Sequence, residues 1–329
     1  MVRIACATLF ALAVWAGSIL LVIAGLPVLP AIILPVIPAL VVLRFRPRLA
    51  AAGLVGTTAA AIVLAIIANR TPRNDRDWET PVSRLPRSTV DGATLTVHDL
   101  RDFEWHAGPA QLNGGEPEIT FTQRWTERTY DLADLRGVDL IVEPFNLSGL
   151  MAHTMLSFDF GEAGRLLLSI EARKEKGERY GALRGGLNTY ELIYVFATEE
   201  DALTLRARKG YELIAYPTDT DPLWLRAFLL SLAAEANILR EHPRFYHTTR
   251  DNCTSAWIRR ADALTPDRLG TQFGTLFPGL LDRLLADRGM LAIDGDITDA
   301  RRTHRIDKAV IEHAGDPDFS LAIRDGRDY

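Results

Sequence analysis

The chain has 329 residues, 48% of them hydrophobic and 24% charged, with a net charge of −5. Residues 1–70 hold five arginines and no Asp, Glu or Lys, so residues 71–329 together carry −10. A remainder this acidic and mixed in character excludes a nucleic-acid surface and a polybasic membrane clamp.

Residues 4–25 form an uninterrupted apolar run, and residues 49–68 form another. Each is long enough to cross a hydrocarbon core of roughly 30 Å, so both are predicted membrane spans. Between them, residues 26–43 are apolar but carry Pro27, Pro30, Pro35 and Pro38. That pattern suits a short kinked span or a re-entrant segment. Arg44, Arg46 and Arg48 mark the loop before the last span as cytoplasmic, and Arg3 puts the N-terminus on the same side. With two spans or three, the soluble part exits on the far side. Cys6 lies within the first span and cannot reach Cys253, which leaves an unpaired thiol in an oxidising compartment.

Residues 71–88 are polar and proline-punctuated, as expected of a linker leaving the bilayer. Short β-rich or alternating runs follow at residues 93–98, 119–124, 138–142, 152–160, 165–173, 190–197, 202–206 and 212–216. Asp221-Pro222 opens a predicted helix that runs to about Arg240, ahead of Pro243. A second helix is expected to start at Cys253, with Trp257, Ala261 and Leu264 on one face, and a third covers residues 278–287. Strands first and helices afterwards predict an α+β domain with an antiparallel sheet over residues 89–295. Residues 296–329 are charged and weakly patterned, which predicts a peripheral extension.

Cys253 at a helix start is placed to feel the positive end of the helix dipole, which favours the thiolate. A small inert core cysteine is the competing assignment. A nucleophilic thiol needs a base held by a third polar group. His153 shares one strand face with Met155, Ser157 and Asp159. Read as a hairpin, the next strand sets Ser169 and Glu171 beside it, where Glu171 could orient the imidazole or act as a surface carboxylate paired with Arg173. His242, His247 and Tyr246 are nearer Cys253 in sequence. Asp294-Gly295-Asp296 could bind a cation, but no paired Cys or His metal motif and no phosphate-binding glycine loop occurs, so neither a metal nor a cofactor is expected.

Several motifs in one order carry a resemblance: Asn74-Asp75-Arg76-Asp77-Trp78, Arg128-Thr129-Tyr130-Asp131-Leu132, Ala152-His153-Thr154, Ser169-Ile170-Glu171-Ala172-Arg173, Tyr190-Glu191-Leu192-Ile193-Tyr194-Val195 and Asn252-Cys253-Thr254. Together they resemble the bacterial family defined by the N-terminal periplasmic domain of Lnb, a lipoprotein N-acyltransferase, over roughly residues 74–265. The chain departs from that pattern at Thr198-Glu199-Glu200-Asp201, where an arginine would precede the aspartate. The resemblance implies a circularly permuted papain-like fold in which the histidine strand precedes the cysteine helix. It implies Cys253 as nucleophile and His153 as base. Glu171 is inferred as the orienting residue, and Asn252, Tyr246 and Ser157 are candidates for substrate contact. The implied protein is a membrane-anchored periplasmic thiol acyltransferase or hydrolase in the bacterial inner membrane, with membrane lipid as partner and a lipoprotein or cell-wall peptide as second substrate. The alternatives are a cell-wall peptidase or amidase and a non-catalytic membrane-tethered binding module.

Overall fold

The computed structural model describes residues 69–324 apart from 109–117, 146–148 and 271–275, together with residues 56, 58, 59, 62–65 and 67. Cys6, the first predicted span and the proline-rich segment after it lie outside the described residues, and the second span lies mostly outside them. The chain divides into a smaller unit (Met1–Arg76, Ala172–Leu192 and Pro243–Asn252) and a larger one (Asp77–Glu171, Ile193–His242 and Cys253–Tyr329).

The larger unit is built on a mostly antiparallel sheet. Its strands are β1 (Arg87–Asp91), β2 (Thr94–Arg101), β5 (Trp125–Asp131), β6 (Gly137–Pro144), β7 (Ala152–Asp159), β8 (Arg165–Arg173), β9 (Glu191–Thr198) and β10 (Ile214–Pro217). A separate hairpin pairs β3 (Glu104–Ala107) with β4 (Ile119–Thr122). The strand order is β1-β2-β9-β8-β7-β6-β10, with β5 also paired to β2. β2 meets β9 in parallel at Arg101 and Ala197, whereas β6, β7 and β8 run antiparallel. The β7–β8 turn depends on Gly164, whose φ of 81° is strained for any side chain bearing a Cβ.

Alternation along the strands sends successive side chains to opposite faces. One face carries Ile141, Met155, Leu167, Ile193, Val195 and Ala197. It is covered by α1 (Glu199–Arg208) through Ala202 and Leu203. The C-terminal segment, expected to be peripheral, folds into α5 (Ile297–Thr303), α6 (Asp307–Glu312) and α7 (Phe319–Ala322). Its Ile306, Val310, Phe319 and Ile323 sit in that same core.

The opposite face carries Thr154 and Phe158 and is covered by α2 (Pro222–Glu241) and α3 (Ser255–Asp262). α2 starts where the sequence predicts: the Asp221 side chain accepts from the Trp224 N–H at 2.8 Å, and Pro222 takes the first helical position. Leu225, Leu229, Leu232, Ala236 and Leu239 fall on one buried stripe. Each fully buried leucine on it contributes roughly 1.5–3 kcal/mol. Among the described residues α2 is the one helix long and apolar enough to cross a membrane; its buried stripe makes it a core helix here. Between α3 and α5 the chain forms α4 (Leu281–Asp287).

Residues 202–206, expected as a strand, lie within α1. Thr198 caps that helix by accepting from the Asp201 N–H at 3.3 Å, and three acids occupy its first turn. Cap and charge both favour a helix N-terminus there, and they outweigh the local alternation of Ala202-Leu203-Thr204-Leu205.

Within the smaller unit, Arg76 pairs with Glu175 at 2.7 Å and with Glu191 at 3.1 Å. Arg173 donates to Asn74 at 3.1 Å. Tyr180 packs on Tyr190 and Tyr246, and the Tyr246 N–H donates to the Tyr190 carbonyl at 2.9 Å.

Candidate active site

His153 is the second residue of β7 and lies opposite Glu143 of β6. Its Nε2 is 2.8 Å from Ser169 Oγ, and that hydroxyl donates to Glu171 Oε1 at 2.8 Å. Arg206, from α1, closes the group: it donates to Glu171 at 2.8 Å and to Ser169 at 3.3 Å, and pairs with Glu143 at 2.8 Å. Glu171 therefore reaches the ring through Ser169, one hydroxyl removed from the direct contact the sequence suggests.

Charge in this cluster follows from who is buried beside whom. Burial would push the Glu171 carboxyl up, but Arg206, then Arg101 and His153, hold it well below the usual carboxylate range. For Glu143 burial wins, and its carboxyl is raised in spite of Arg206. His153 is pushed down to about 3, first by burial and then by the neighbouring Arg206 guanidinium. The imidazole is therefore neutral at physiological pH.

The network also fixes its tautomer. Ionised Glu171 can only accept, so the single Ser169 proton is committed to it. Ser169 Oγ must then accept from an Nε2–H, which leaves the lone pair on Nδ1. Among the described residues Nδ1 has no hydrogen-bond partner.

Cys253 is 6% exposed and sits just before α3, whose N-cap is Thr254. This corrects the expectation that the cysteine occupies the first helical turn. Its Sγ contacts the Ala152 carbonyl at 3.9 Å and Thr254 Oγ1 at 3.7 Å. Burial pushes the thiol up, and the hydrogen bonds from Thr154 and Thr254 only partly offset this. The thiol is thus the resting form, opposite to what a helix-dipole argument predicts.

Thr154 anchors the cysteine segment. Its hydroxyl donates to the Cys253 carbonyl at 3.1 Å, lies 3.0 Å from Thr254 Oγ1, and accepts from Trp257 Nε1 at 3.2 Å. Because His153 and Thr154 alternate across β7, the cysteine segment packs on the α2–α3 face while the imidazole joins Arg206 on the α1 face. No hydrogen bond joins Cys253 to His153. The sulfur lies at the start of β7, where it touches the carbonyl of Ala152, the residue preceding His153.

The other sequence candidates are placed as follows. Ser157 is fully buried and donates to Glu199 at 2.6 Å, inside an ionic cluster that joins Arg165, Asp139 and Arg324. Tyr246 and Asn252 belong to the smaller unit, where Asn252 Nδ2 donates to the Thr248 carbonyl at 2.6 Å. Asp296 caps α5, accepting from the N–H groups of Thr298 and Asp299. Among the described residues no group of three or more His, Cys, Asp or Glu is arranged to hold a metal ion. Sequence reasoning missed Arg206, read as part of a strand, and Thr154, whose side chain shows its role only against α3.

Curated proteins and solved structures give no match to the chain. A family model described as the Lnb N-terminal periplasmic domain matches residues 121–283, the stretch that carries β5 to β10, His153 and Cys253. It is over these residues that the chain is similar to that family.

Proposed function

We propose that this domain is the periplasmic part of a membrane-anchored thiol acyltransferase or hydrolase with a permuted papain-like arrangement, acting on lipid and lipoprotein substrates. The observation that carries the reading is the meeting of Cys253 Sγ with the Ala152 carbonyl, one residue from an imidazole whose Nδ1 is unengaged. The strand-before-helix order, the family match and the long apolar runs at residues 4–25 and 49–68 support it.

In this reading Cys253 Sγ attacks the carbonyl carbon of a phospholipid ester, and the thiol proton passes to His153 Nδ1. The C–O bond breaks, the leaving alcohol takes that proton, and an S-acyl enzyme remains. An amine or water then attacks the thioester, gives its proton to His153, and the sulfur leaves to recover the thiol. Backbone N–H groups at the start of α3 face the developing oxyanion. Ser169 and Glu171 set the Nε2–H tautomer of the resting ring. The reaction also demands that the imidazole swing round the end of β7 towards the sulfur.

A second reading, a non-catalytic membrane-tethered binding module, is favoured by one feature: a protonated thiol and a neutral histidine on opposite pleat faces. The two separate on incubation of the full-length protein with phospholipid vesicles followed by intact-mass measurement. An acyl adduct present in the wild type and absent from Cys253→Ser and His153→Ala supports the enzyme. Absence of any adduct, with turnover of neither lipid nor muropeptide, leaves the binding module. Muropeptide cleavage with no lipid adduct identifies a peptidase or amidase instead.

A further inference from the structure

A cavity of about 330 Å³ opens in the larger unit beside α1 and the β3–β4 hairpin, and none of its wall residues belongs to the groups around Cys253 or His153. Three of those residues, Glu200, Thr204 and Arg208, lie one turn apart along α1 and place a carboxylate, a hydroxyl and a guanidinium in a row. Their first and last Cα atoms are about 12 Å apart, eight residues at 1.5 Å each.

Of the other charges of the wall, Asp102, Asp201 and Arg124 are already engaged, and Glu104 lies at the exposed rim 4.0 Å from His106. Asp201 takes Arg101, the Phe103 N–H and Trp105 Nε1, and Asp102 takes Arg124 and Thr198. The α1 row is not engaged in this way. Among the described residues the Arg208 side chain makes no hydrogen bond or ion pair, and its Nε is buried without a partner. Thr204 is 3% exposed, and its hydroxyl is buried without a partner as well. Glu200 accepts from the Gly315 N–H at 2.6 Å through Oε1, which leaves Oε2 for another donor.

We propose that this cavity binds a short peptide by its two charged ends, carboxylate on Arg208 and Thr204, ammonium on Glu200. Groups left unsatisfied in a buried wall point to an occupant that satisfies them. An oxyanion answers both the guanidinium and the hydroxyl. The carboxylates of Glu200 and Glu104 repel a dianion such as phosphate and attract a cation at the far end. An extended chain of three residues spans roughly 10 Å, which matches the row from Glu200 to Arg208.

Titration calorimetry of the full-length protein with trialanine tests this, alongside N-acetyl-trialanine, trialanine amide and inorganic phosphate. Saturable binding of trialanine is expected, with both capped peptides and phosphate at least about tenfold weaker. Arg208→Gln and Glu200→Gln should each weaken trialanine by about tenfold while the thermal midpoint is unchanged, and Cys253→Ala should bind as the wild type does. The Trp105 indole N–H resonance should shift on binding, because that group bonds Asp201 in the cavity wall. No saturation up to about 10 mM with the protein folded, or equal binding of capped and uncapped peptides, overturns the assignment. So does binding that neither variant weakens.

Discussion

Ser169 accepts from His153 because its only proton is given to Glu171. This one relationship decides which imidazole nitrogen can act as a base. Ser169→Ala removes the acceptor, so the ring is released to either tautomer. If His153 is the base, S-acyl formation should fall by about 10- to 100-fold in Ser169→Ala, while Ser169→Thr, which keeps a hydroxyl, should retain most of it. Nitrogen NMR of the labelled histidine should show the Nε2–H form in the wild type and a mixture in Ser169→Ala. A wild-type ring protonated on Nδ1 would contradict the network.

The depressed His153 pKa makes stability depend on pH in a stated window. The native imidazole stays neutral down to about 3, whereas the unfolded chain binds a proton below about 6.5. Between these limits the unfolded state holds more protons, so stability is full above about 6.5 and falls as the pH drops towards 3. The expected slope is up to about 1.4 kcal/mol per pH unit. Glu199, held down to about 2 by Arg324 and Arg165 against burial, adds its own loss only as the pH falls from about 4.5. Glu143 and Glu191, both raised by burial, bind protons in the same window with the opposite effect, so the His153 contribution is read as the difference between wild type and variant in urea unfolding from pH 6.5 to 4.5. His153→Gln should flatten that part of the curve, and an unchanged slope would show that the native ring does titrate.

Arg206 sits between two carboxylates and pairs directly with both, Glu171 at 2.8 Å and Glu143 at 2.8 Å. Arg206→Met should destabilise the protein by about 3–5 kcal/mol at neutral pH, since it strands both charges in the interior. Adding Glu171→Gln and Glu143→Gln should recover a large part of the loss. Chemical denaturation of the single and triple variants measures this, and a triple variant no more stable than Arg206→Met would deny the ionic origin of the effect.

What the sequence could disclose followed from what is local. β7 and β8 alternate strongly, and their expected ranges agree with the observed ones to within a residue. α2 announces itself through Asp221-Pro222. β1 and β5 were not legible, because Arg87-Ser88-Thr89 and Thr126-Glu127-Arg128 are polar stretches whose strand state comes from pairing with β2, and β3 takes its strand state from the separate hairpin with β4. Ile306, Val310, Phe319 and Ile323 stand singly among charges, and only the face they cover reveals them as core. At the site, His153 and Cys253 were identifiable as residue types at strand and helix ends. Which face the imidazole takes depends on where α1 and α3 dock, and no spacing along the chain encodes that.

Cys253 supplies the sharpest check on the resting state. Burial raises the thiol, and no hydrogen bond from an imidazole stabilises its anion. Alkylation by iodoacetamide needs the thiolate, so its rate should be slow at pH 6 and climb about tenfold per pH unit past ~8.5, with no plateau below. The same profile is expected in His153→Ala, because the resting pair shares no proton. An acyl donor should change this: with substrate bound, the wild type should acylate near neutral pH while His153→Ala does not. Rapid labelling of the unliganded wild type at pH 6, lost in His153→Ala, would reveal a preformed thiolate–imidazolium pair and overturn the resting geometry.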